Sequence, residues 1–368
     1  MSNRKPRVLL VSDMSKVGGT EVATYITAKE LQSYVDYIGV FGKKGPLSQK
    51  ILELDIDQVE GDAHTKNPLK IIKYIYDIKK LINDHDIDIV HAQMARPIPF
   101  VWIAKTLSKN KQLKIFWTSR GLKHRTYKYL VPALNKINIK ALGNCKLEQE
   151  KLIRYGFKAA NTGFVYNPYR LNPKTAVREK TRKRAITIGT LSALREDRCV
   201  DLFIEIAKEI MNSNFQDYEF EFLIGGNGNY KTALENISIK YGISNSVNFL
   251  GNIDDVEAFM QKIDIFVSPI VVKGDSGAGV SNAIVEAMVT KTPVCAYSAA
   301  AIGEIVINGQ TGYLIEPQNI KKMVKAIIDT IENDALTQAY VNNAYDLIIK
   351  ECNPKNYVSK LLRLYKEL

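Results

Sequence analysis

Gly277-Ala-Gly-Val-Ser-Asn-Ala-Ile-Val-Glu286-Ala-Met288, followed by Pro293-Val294 and by Glu304-Ile-Val-x-x-Gly309-x-Thr311-Gly312, is the stretch from which the rest of the chain can be ordered. Its glycines let a ligand approach the backbone closely, and the helix that follows presents unpaired N–H groups suited to phosphate oxygens. Glu286 falls one to two turns into that helix, where a carboxylate can reach a ribose. A glycine-flanked helix start followed by an acid suits a phosphorylated ligand that also carries hydroxyls. Position 278 holds only the methyl group of Ala278.

On the N-terminal side of this run, strands alternate with helices. Arg7-Val-Leu-Leu-Val-Ser12 reads as a buried parallel strand, Gly18-Gly19-Thr20-Glu21 as a glycine loop, and residues 22–32 as a helix. Further strands are expected at 37–41, 88–91, 114–118, 137–143 and 163–167, with helices at 67–83, 98–107 and up to Lys151. A polar stretch, Asn172 to Lys183, is the linker candidate. The pattern then restarts, with strands at 184–189, 219–225, 247–251, 263–268, 292–297 and 312–315. Helices are expected between them at 200–211, 230–241, 256–261 and 281–289, and after them at 321–333. Such alternation implies parallel pairing, hence an α/β fold with two doubly wound, Rossmann-like domains, 1–172 and 173–352. Two such halves facing each other would make a central cleft at the C-terminal ends of their strands. Residues 353–368 are helical in pattern and are expected to pack back on the first domain.

With 368 residues, 46% hydrophobic and 24% charged, the chain has the composition of a soluble globular protein large enough for two cores. The longest uncharged apolar stretch, Pro97-Ile-Pro-Phe-Val-Trp-Ile-Ala104, is far short of the roughly 20 residues that span a bilayer. Val8-Leu-Leu-Val11 is too short for the core of a secretory signal, so a cytoplasmic location is expected. Cys145, Cys199, Cys295 and Cys352 are scattered without metal or disulfide spacing. Charge is uneven: residues 1–170 hold 29 Lys and Arg against 15 Asp and Glu, leaving 22 against 24 for the remainder. Between Ile89 and Lys146 there are 12 basic residues and no acid, interleaved with Phe100, Trp102, Phe116, Trp117, Tyr127 and Tyr129. Such a surface suits an anionic membrane or a phosphorylated acceptor, with the protein peripheral on the inner face of the cytoplasmic membrane. No nucleic-acid motif accompanies it, and no nucleic-acid partner is expected.

The order of these signals resembles the GT-B glycosyltransferases and, within them, the retaining GT4 family (glycosyl transferases group 1). The marks are Gly18-Gly19-Thr20-Glu21, Val90-His91-Ala-Gln93, Asn167-Pro168, Gly189-Thr-Leu-Ser192, Leu223-Ile-Gly-Gly-Asn-Gly228, Phe249-Leu-Gly251, Asp264-Ile-Phe-Val-Ser-Pro269 and the opening run. The resemblance implies that the loop of Gly18, Gly19 and Thr20 approaches the pyrophosphate or the reacting sugar. It implies that Arg195 or Arg198 clamps the diphosphate without a metal, which of the two being open. Glu286 would accept hydrogen bonds from the ribose, and Gly279, Val280, Ser281 and Asn282 would meet phosphate, with Asn227 and Gly251 completing the donor-binding set. Two departures concern the sugar. Asp275 and Ser276 lie near enough in sequence to replace the carboxylate missing at Ala278. In Ser119-Arg120-Gly121, Arg120 stands where many relatives carry a histidine that faces the donor sugar; it suits a phosphate, a sugar carboxylate or an acidic neighbour.

Asp84-His-Asp-Ile-Asp88 looks like a metal-binding DxD but directly precedes a strand, and no metal is expected. His91 and His124 are candidates to meet an acceptor. The resemblance implies a retaining glycosyltransferase of the hexosyltransferase type that needs no cofactor. It would move a sugar from a nucleoside-diphosphate sugar, with UDP favoured, to a hydroxyl of a glycan acceptor. That acceptor would be lipid-linked, as in lipopolysaccharide, capsule or other surface polysaccharide assembly. The alternatives are a nucleotide-sugar epimerase on the same fold and a non-catalytic binding subunit.

Overall fold

Val8, Leu9, Leu10 and Val11 are each at most 1% exposed, so this strand is covered on both faces. Leu9 and Val11 enter one apolar core and Val8 and Leu10 another, as the two-residue period of a strand requires. A sheet clad on both sides in this way is built from parallel strands joined by helical crossovers. The computed structural model describes residues 4–15, 18–171, 184–213, 215, 217–271 and 279–368, and the linker candidate 172–183 lies outside them.

The chain divides into two compact units, Met1–Arg170 with Asn353–Leu368, and Leu171–Cys352. The first contains β1 (Arg7–Val11), α1 (Gly19–Leu31), β2 (Tyr37–Phe41), α2 (Ser48–Leu52), β3 (Asp57–Val59), α3 (Pro68–Asp84) and β4 (Ile89–Ala92). It continues with α4 (Ile98–Leu107), β5 (Lys114–Ser119), α5 (His124–Lys136), β6 (Lys140–Gly143), α6 (Lys146–Arg154) and β7 (Thr162–Phe164). The second contains β8 (Ala185–Leu191), α7 (Val200–Asn212), β9 (Glu219–Gly225), α8 (Lys231–Lys240), β10 (Val247–Gly251), α9 (Val256–Lys262) and β11 (Ile265–Ser268). There follow α10 (Asn282–Val289), β12 (Val294–Tyr297), β13 (Tyr313–Ile315), α11 (Ile320–Glu332) and α12 (Asp334–Glu351), and then α13 (Pro354–Glu367), which belongs to the first unit. The sheet orders are β3-β2-β1-β4-β5-β6-β7 and β10-β9-β8-β11-β12-β13, with every pairing parallel.

Each unit starts its central crossing with the same device. Asp88, just before β4, donates its N–H to the carbonyl of Arg7 (2.9 Å) and accepts the Arg7 N–H on its carboxylate (2.9 Å). Asp264, just before β11, does the same with Thr187 of β8, at 2.6 and 2.9 Å. The carboxylate extends the strand ladder by one bond and sets where the two central strands begin to pair.

Helix α13 closes one face of the first sheet. Its Tyr357, Val358, Leu361, Leu364 and Tyr365 share a core with Val8, Leu10, Phe116 and Leu142. Two buried polar contacts orient it: the Tyr357 hydroxyl bonds that of Thr27 at 2.8 Å, and the Tyr365 hydroxyl bonds Nδ1 of His91 at 2.7 Å. His91 and Thr118 point to the same face because they alternate with core residues in β4 and β5, and Nε2 meets the Thr118 hydroxyl at 2.7 Å. The imidazole is thus a fully buried tie for α13.

Burial pushes the His91 pKa down to about 3, and the charge of Arg120 adds to the effect. An imidazole whose folded pKa is lowered stabilises the fold fully above its unfolded pKa of about 6.5; below that, the unfolded chain takes up a proton that the folded one refuses. Stability is therefore expected to fall between about pH 6.5 and pH 3, by up to about 1.4 kcal/mol per pH unit from this residue. Urea unfolding at pH 7.5 and pH 5 should show a smaller loss in His91→Gln than in the wild type; equal losses would mean that His91 titrates normally in the fold.

Candidate active site

In the second unit the loops after β8, β9 and β10 are sewn together by backbone bonds. Ser192 N–H donates to the carbonyl of Gly225 (3.0 Å), Leu194 N–H to that of Asn227 (3.0 Å), and Gly226 N–H to that of Gly251 (2.7 Å). Gly226 has φ +121°, and a Cβ there would sit 1.8 Å from the Ser192 carbonyl oxygen. Only glycine fits both the angle and the approach. Gly251 also has a positive φ, +71°, and Asn227 folds its side chain onto the Gly228 N–H at 2.8 Å.

Arg195 and Arg198 emerge from this layer. Arg195 grips Asp197 with a two-pronged contact, Nε to Oδ1 at 2.9 Å and Nη2 to Oδ2 at 2.8 Å, while Arg198 Nε stands 3.8 Å from the same carboxylate. Hydrogen bonding to Arg195 holds the Asp197 pKa below its ordinary value, and the same bond raises that of Arg195. The pair is exposed, and ion pairs of this kind contribute little, so a phosphate can compete for either guanidinium. Behind them Cys199, buried with φ +54°, starts α7 and directs its thiol at the Val271 carbonyl, 3.7 Å away. This contact joins the arginine loop to the segment leaving β11.

Helix α10 begins after Gly279 and Val280, with Ser281 as its N-cap and Asn282 as its first residue. Glu286 is 4% exposed in a helix whose other residues from Ala283 to Val289 are apolar and buried. A carboxylate in such a setting needs hydrogen-bond partners. Asp275, Ser276 and Ala278 lie outside the described residues.

In the first unit Gly18 is the N-cap of α1, with Gly19 and Thr20 in its first turn. The Glu21 carboxyl turns back over this cap, 2.8 Å from where a Gly18 Cβ would be. Desolvation raises its pKa, and the Glu21 and Gly18 amides pull the other way. Arg120 lies one residue past β5. Its Nη1 donates to Oδ1 of Asn167 (2.6 Å) and its Nη2 to Oε1 of Gln93 (2.9 Å). The residues around Arg120 are pinned by buried Glu148, which accepts from the hydroxyls of Ser119 and Tyr127, while the Leu122 N–H donates to that same tyrosine hydroxyl at 2.7 Å. Desolvation raises the Glu148 pKa against the pull of these bonds.

Gln93 and Asn167 stood in recognisable motifs, but nothing in their spacing announced that both would bond one guanidinium. Glu148, just past the acid-free stretch and two residues before Glu150, carried no sequence signal of its own. The structure also places the histidines and the acidic motif. His91 is sealed in the core against α13, and the His124 ring bonds the Tyr155 hydroxyl. Asp88 is committed to the β1 backbone and to Arg4. Among the described residues, no group of three or more His, Cys, Asp and Glu is arranged to hold a metal ion. Of the aromatics interleaved in the basic stretch, Phe116, Trp117 and Tyr127 are core residues rather than surface, because β5 is covered on both faces and Tyr127 faces inward from α5.

The family model described as glycosyl transferases group 1 matches residues 173–347, and that described as glycosyl transferase 4-like matches residues 7–161. The chain belongs to the GT4 glycosyltransferases. An uncharacterized glycosyltransferase of Haemophilus influenzae is 25% identical over 343 residues, covering 89% of this chain and 90% of that protein. The lipopolysaccharide core biosynthesis mannosyltransferase LpcC of Rhizobium leguminosarum is 25% identical over 162 residues, a stretch spanning 44% of that relative's length. The structure of HepE from Anabaena, in complex with UDP and glucose, superposes with a TM-score of 0.82 at 17% identity, covering 99% of this chain and all of that one. The fold of this glycosyltransferase is therefore GT-B, and its relatives include enzymes of lipopolysaccharide biosynthesis.

In this glycosyltransferase the glycine layer is expected to be intolerant of a single methyl group. Gly226→Ala should lower stability by roughly 2–4 kcal/mol, since both a forbidden φ and a backbone clash must be relieved. Thermal denaturation checks this; a melting temperature unchanged within a degree would mean that the loop relaxes freely.

Proposed function

We propose that this enzyme is a retaining hexosyltransferase that uses a UDP-sugar and a hydroxyl of a lipid-linked glycan, without a metal. The observation that carries the donor reading is the burial of Glu286 within the apolar helix α10, just behind the start formed by Gly279, Val280, Ser281 and Asn282. A carboxylate there suits ribose hydroxyls, and amides at a helix start suit phosphate. UDP is favoured because HepE, which shares the fold, binds it. Asn227 and Gly251 would shape the floor beneath the diphosphate, and the loop of Gly18, Gly19 and Thr20 would offer backbone N–H groups to phosphate or the reacting sugar. The family resemblance supports same-face attack. The acceptor oxygen bonds to the anomeric carbon, the bond from that carbon to the phosphate oxygen breaks, and the acceptor proton passes to the departing diphosphate. Arg195 or Arg198 neutralises the charge that develops there, in the role a divalent ion fills elsewhere.

The expected signature is thermal stabilisation by one nucleoside diphosphate and its sugar, of about 2.7 kcal/mol at a hundredfold excess over Kd. Glu286→Gln, which keeps the shape, should lower kcat/KM by about ten- to hundredfold, the worth of a charged hydrogen bond. No stabilisation by any of UDP, GDP, ADP or dTDP, or by their sugars, would overturn the donor reading.

For the acceptor side, an anionic membrane is the partner that fits the surface of the first unit. On α3, Leu69, Ile72 and Tyr76 are 76%, 63% and 58% exposed and share one face, beside the exposed Lys66, Lys70, Lys73 and Lys80. Tyr129 on α5 stands out among exposed Arg125 and Lys128. Apolar side chains ringed by lysine suit the interface of an acidic bilayer. Flotation with vesicles containing phosphatidylglycerol should recover the protein at low salt, and the Leu69→Gln, Ile72→Gln double variant should float less. Equal recovery with neutral phosphatidylcholine vesicles would argue against an electrostatic contact.

A further inference from the structure

We propose that the polar cluster around Arg120 is a subsite for an acidic sugar residue, one bearing a carboxylate or a phosphate, and that Arg120 is the side chain that selects it. The inference rests on the glycosyltransferase reading above and adds to it the charge of a substrate.

The cluster occupies the edge where parallel sheets receive ligands. Gln93 lies one residue past β4, Arg120 one past β5, Asn144 one past β6 and Asn167 three past β7, and these four strands are neighbours in the sheet. The two hydrogen-bond acceptors of the guanidinium are neutral amide oxygens. Among the described residues, no carboxylate pairs with it. Glu21 is close enough to feel its charge, but that carboxyl is turned to the start of α1.

Two donors in this network have no partner: Nε of Arg120 and Nε2 of Gln93, both sealed from solvent. Their identity is not a matter of how an amide is drawn. Arginine only donates, so Gln93 must offer it Oε1, and its Nε2 then faces away. A buried donor without an acceptor is costly, and a buried cation without a counter-charge more so. Here both occur on adjacent side chains, and both call for negative charge or lone pairs. A sugar hydroxyl would satisfy a donor and leave the cation uncompensated. A carboxylate or phosphate oxygen satisfies both, and the fork of a guanidinium matches it. Asn144, at the next strand end along the same edge, has an unpartnered Oδ1 suited to a hydroxyl of a sugar. Glu148, through Ser119 and Tyr127, fixes the backbone on both sides of Arg120, so the cation is held in place before the ligand arrives.

Two matched pairs of probes identify which substrate carries the charge: UDP-glucuronate against UDP-glucose for the donor, and p-nitrophenyl glucuronide against p-nitrophenyl glucoside for the acceptor. Calorimetric titration of the full chain should show at least tenfold tighter binding of the acidic member in one pair. Arg120→Gln should erase that preference while UDP itself binds as before, and Arg120→Lys, which keeps the charge without the fork, should retain part of it. Gln93→Glu supplies the missing counter-charge from within. It should raise Tm by about 2–4 °C, equivalent to roughly 1 kcal/mol in a unit of this size, and abolish the preference. Equal affinity of the wild type for both members of both pairs would overturn the proposal, as would a fall in Tm with Gln93→Glu. Failure of UDP to bind at all would instead overturn the donor reading, while the glycoside pair, titrated without nucleotide, still reads the subsite directly.

Discussion

Parallel pairing is the constraint on which the rest depends. Each crossover must return the chain to the end it started from, so all the strands of one sheet open their C-terminal ends on one edge. Asp88 and Asp264 set this arrangement in register by bonding the first strand of each sheet in both directions before the central strand begins. Several groups assigned a role in chemistry then follow from counting one to a few residues past a strand. Arg120 and Gln93 do so in one unit, and the Ser192 to Arg198 loop and the Gly226 turn do so in the other.

The same device accounts for how the sequence was read and misread. Alternating helices and strands were legible from their apolar patterning, and β2, β9, β10 and α4 fall at the residues that patterning predicts. Helix α5 is absent from the helices expected from the sequence, although its buried Tyr127, Val131 and Leu134 have the i, i+4, i+7 spacing of one helix face, because Pro132 falls inside it. Asp88 looked like half of a metal motif because a carboxylate before a strand has the same letters whether it binds an ion or a backbone amide. The aromatics of β5 looked like surface because charge in sequence was taken for charge in space. Glu286 and the glycine-flanked start of α10 could be singled out, since their residue types have few other uses together. The bonds of Arg120 could not, because Gln93 and Asn167 come from strands β4 and β7, on either side of β5 and β6, and meet it only in three dimensions.

The two units differ in how they treat charge. In the second unit the arginines stand in solvent, each near Asp197, ready to exchange one anion for another at little cost. In the first unit the arginine is enclosed by amides and pinned by a buried glutamate, a geometry that favours selectivity over ease of exchange. Under the proposed function, a leaving diphosphate would call for the former and recognition of one sugar for the latter.

The contacts of α13 also set an order in time. Thr27 and His91 find their partners, Tyr357 and Tyr365, 330 and 274 residues further along the chain. At about 5–20 residues per second of synthesis, the partner of Thr27 leaves the ribosome roughly 15–65 s after Thr27 itself. During that interval one face of the first sheet lacks its cover, while all of the second unit has already been made. The unit encoded first is therefore the one completed last, and a nascent chain stalled anywhere in the second half exposes Val8, Leu10 and Phe116 to whatever hydrophobic surface it meets.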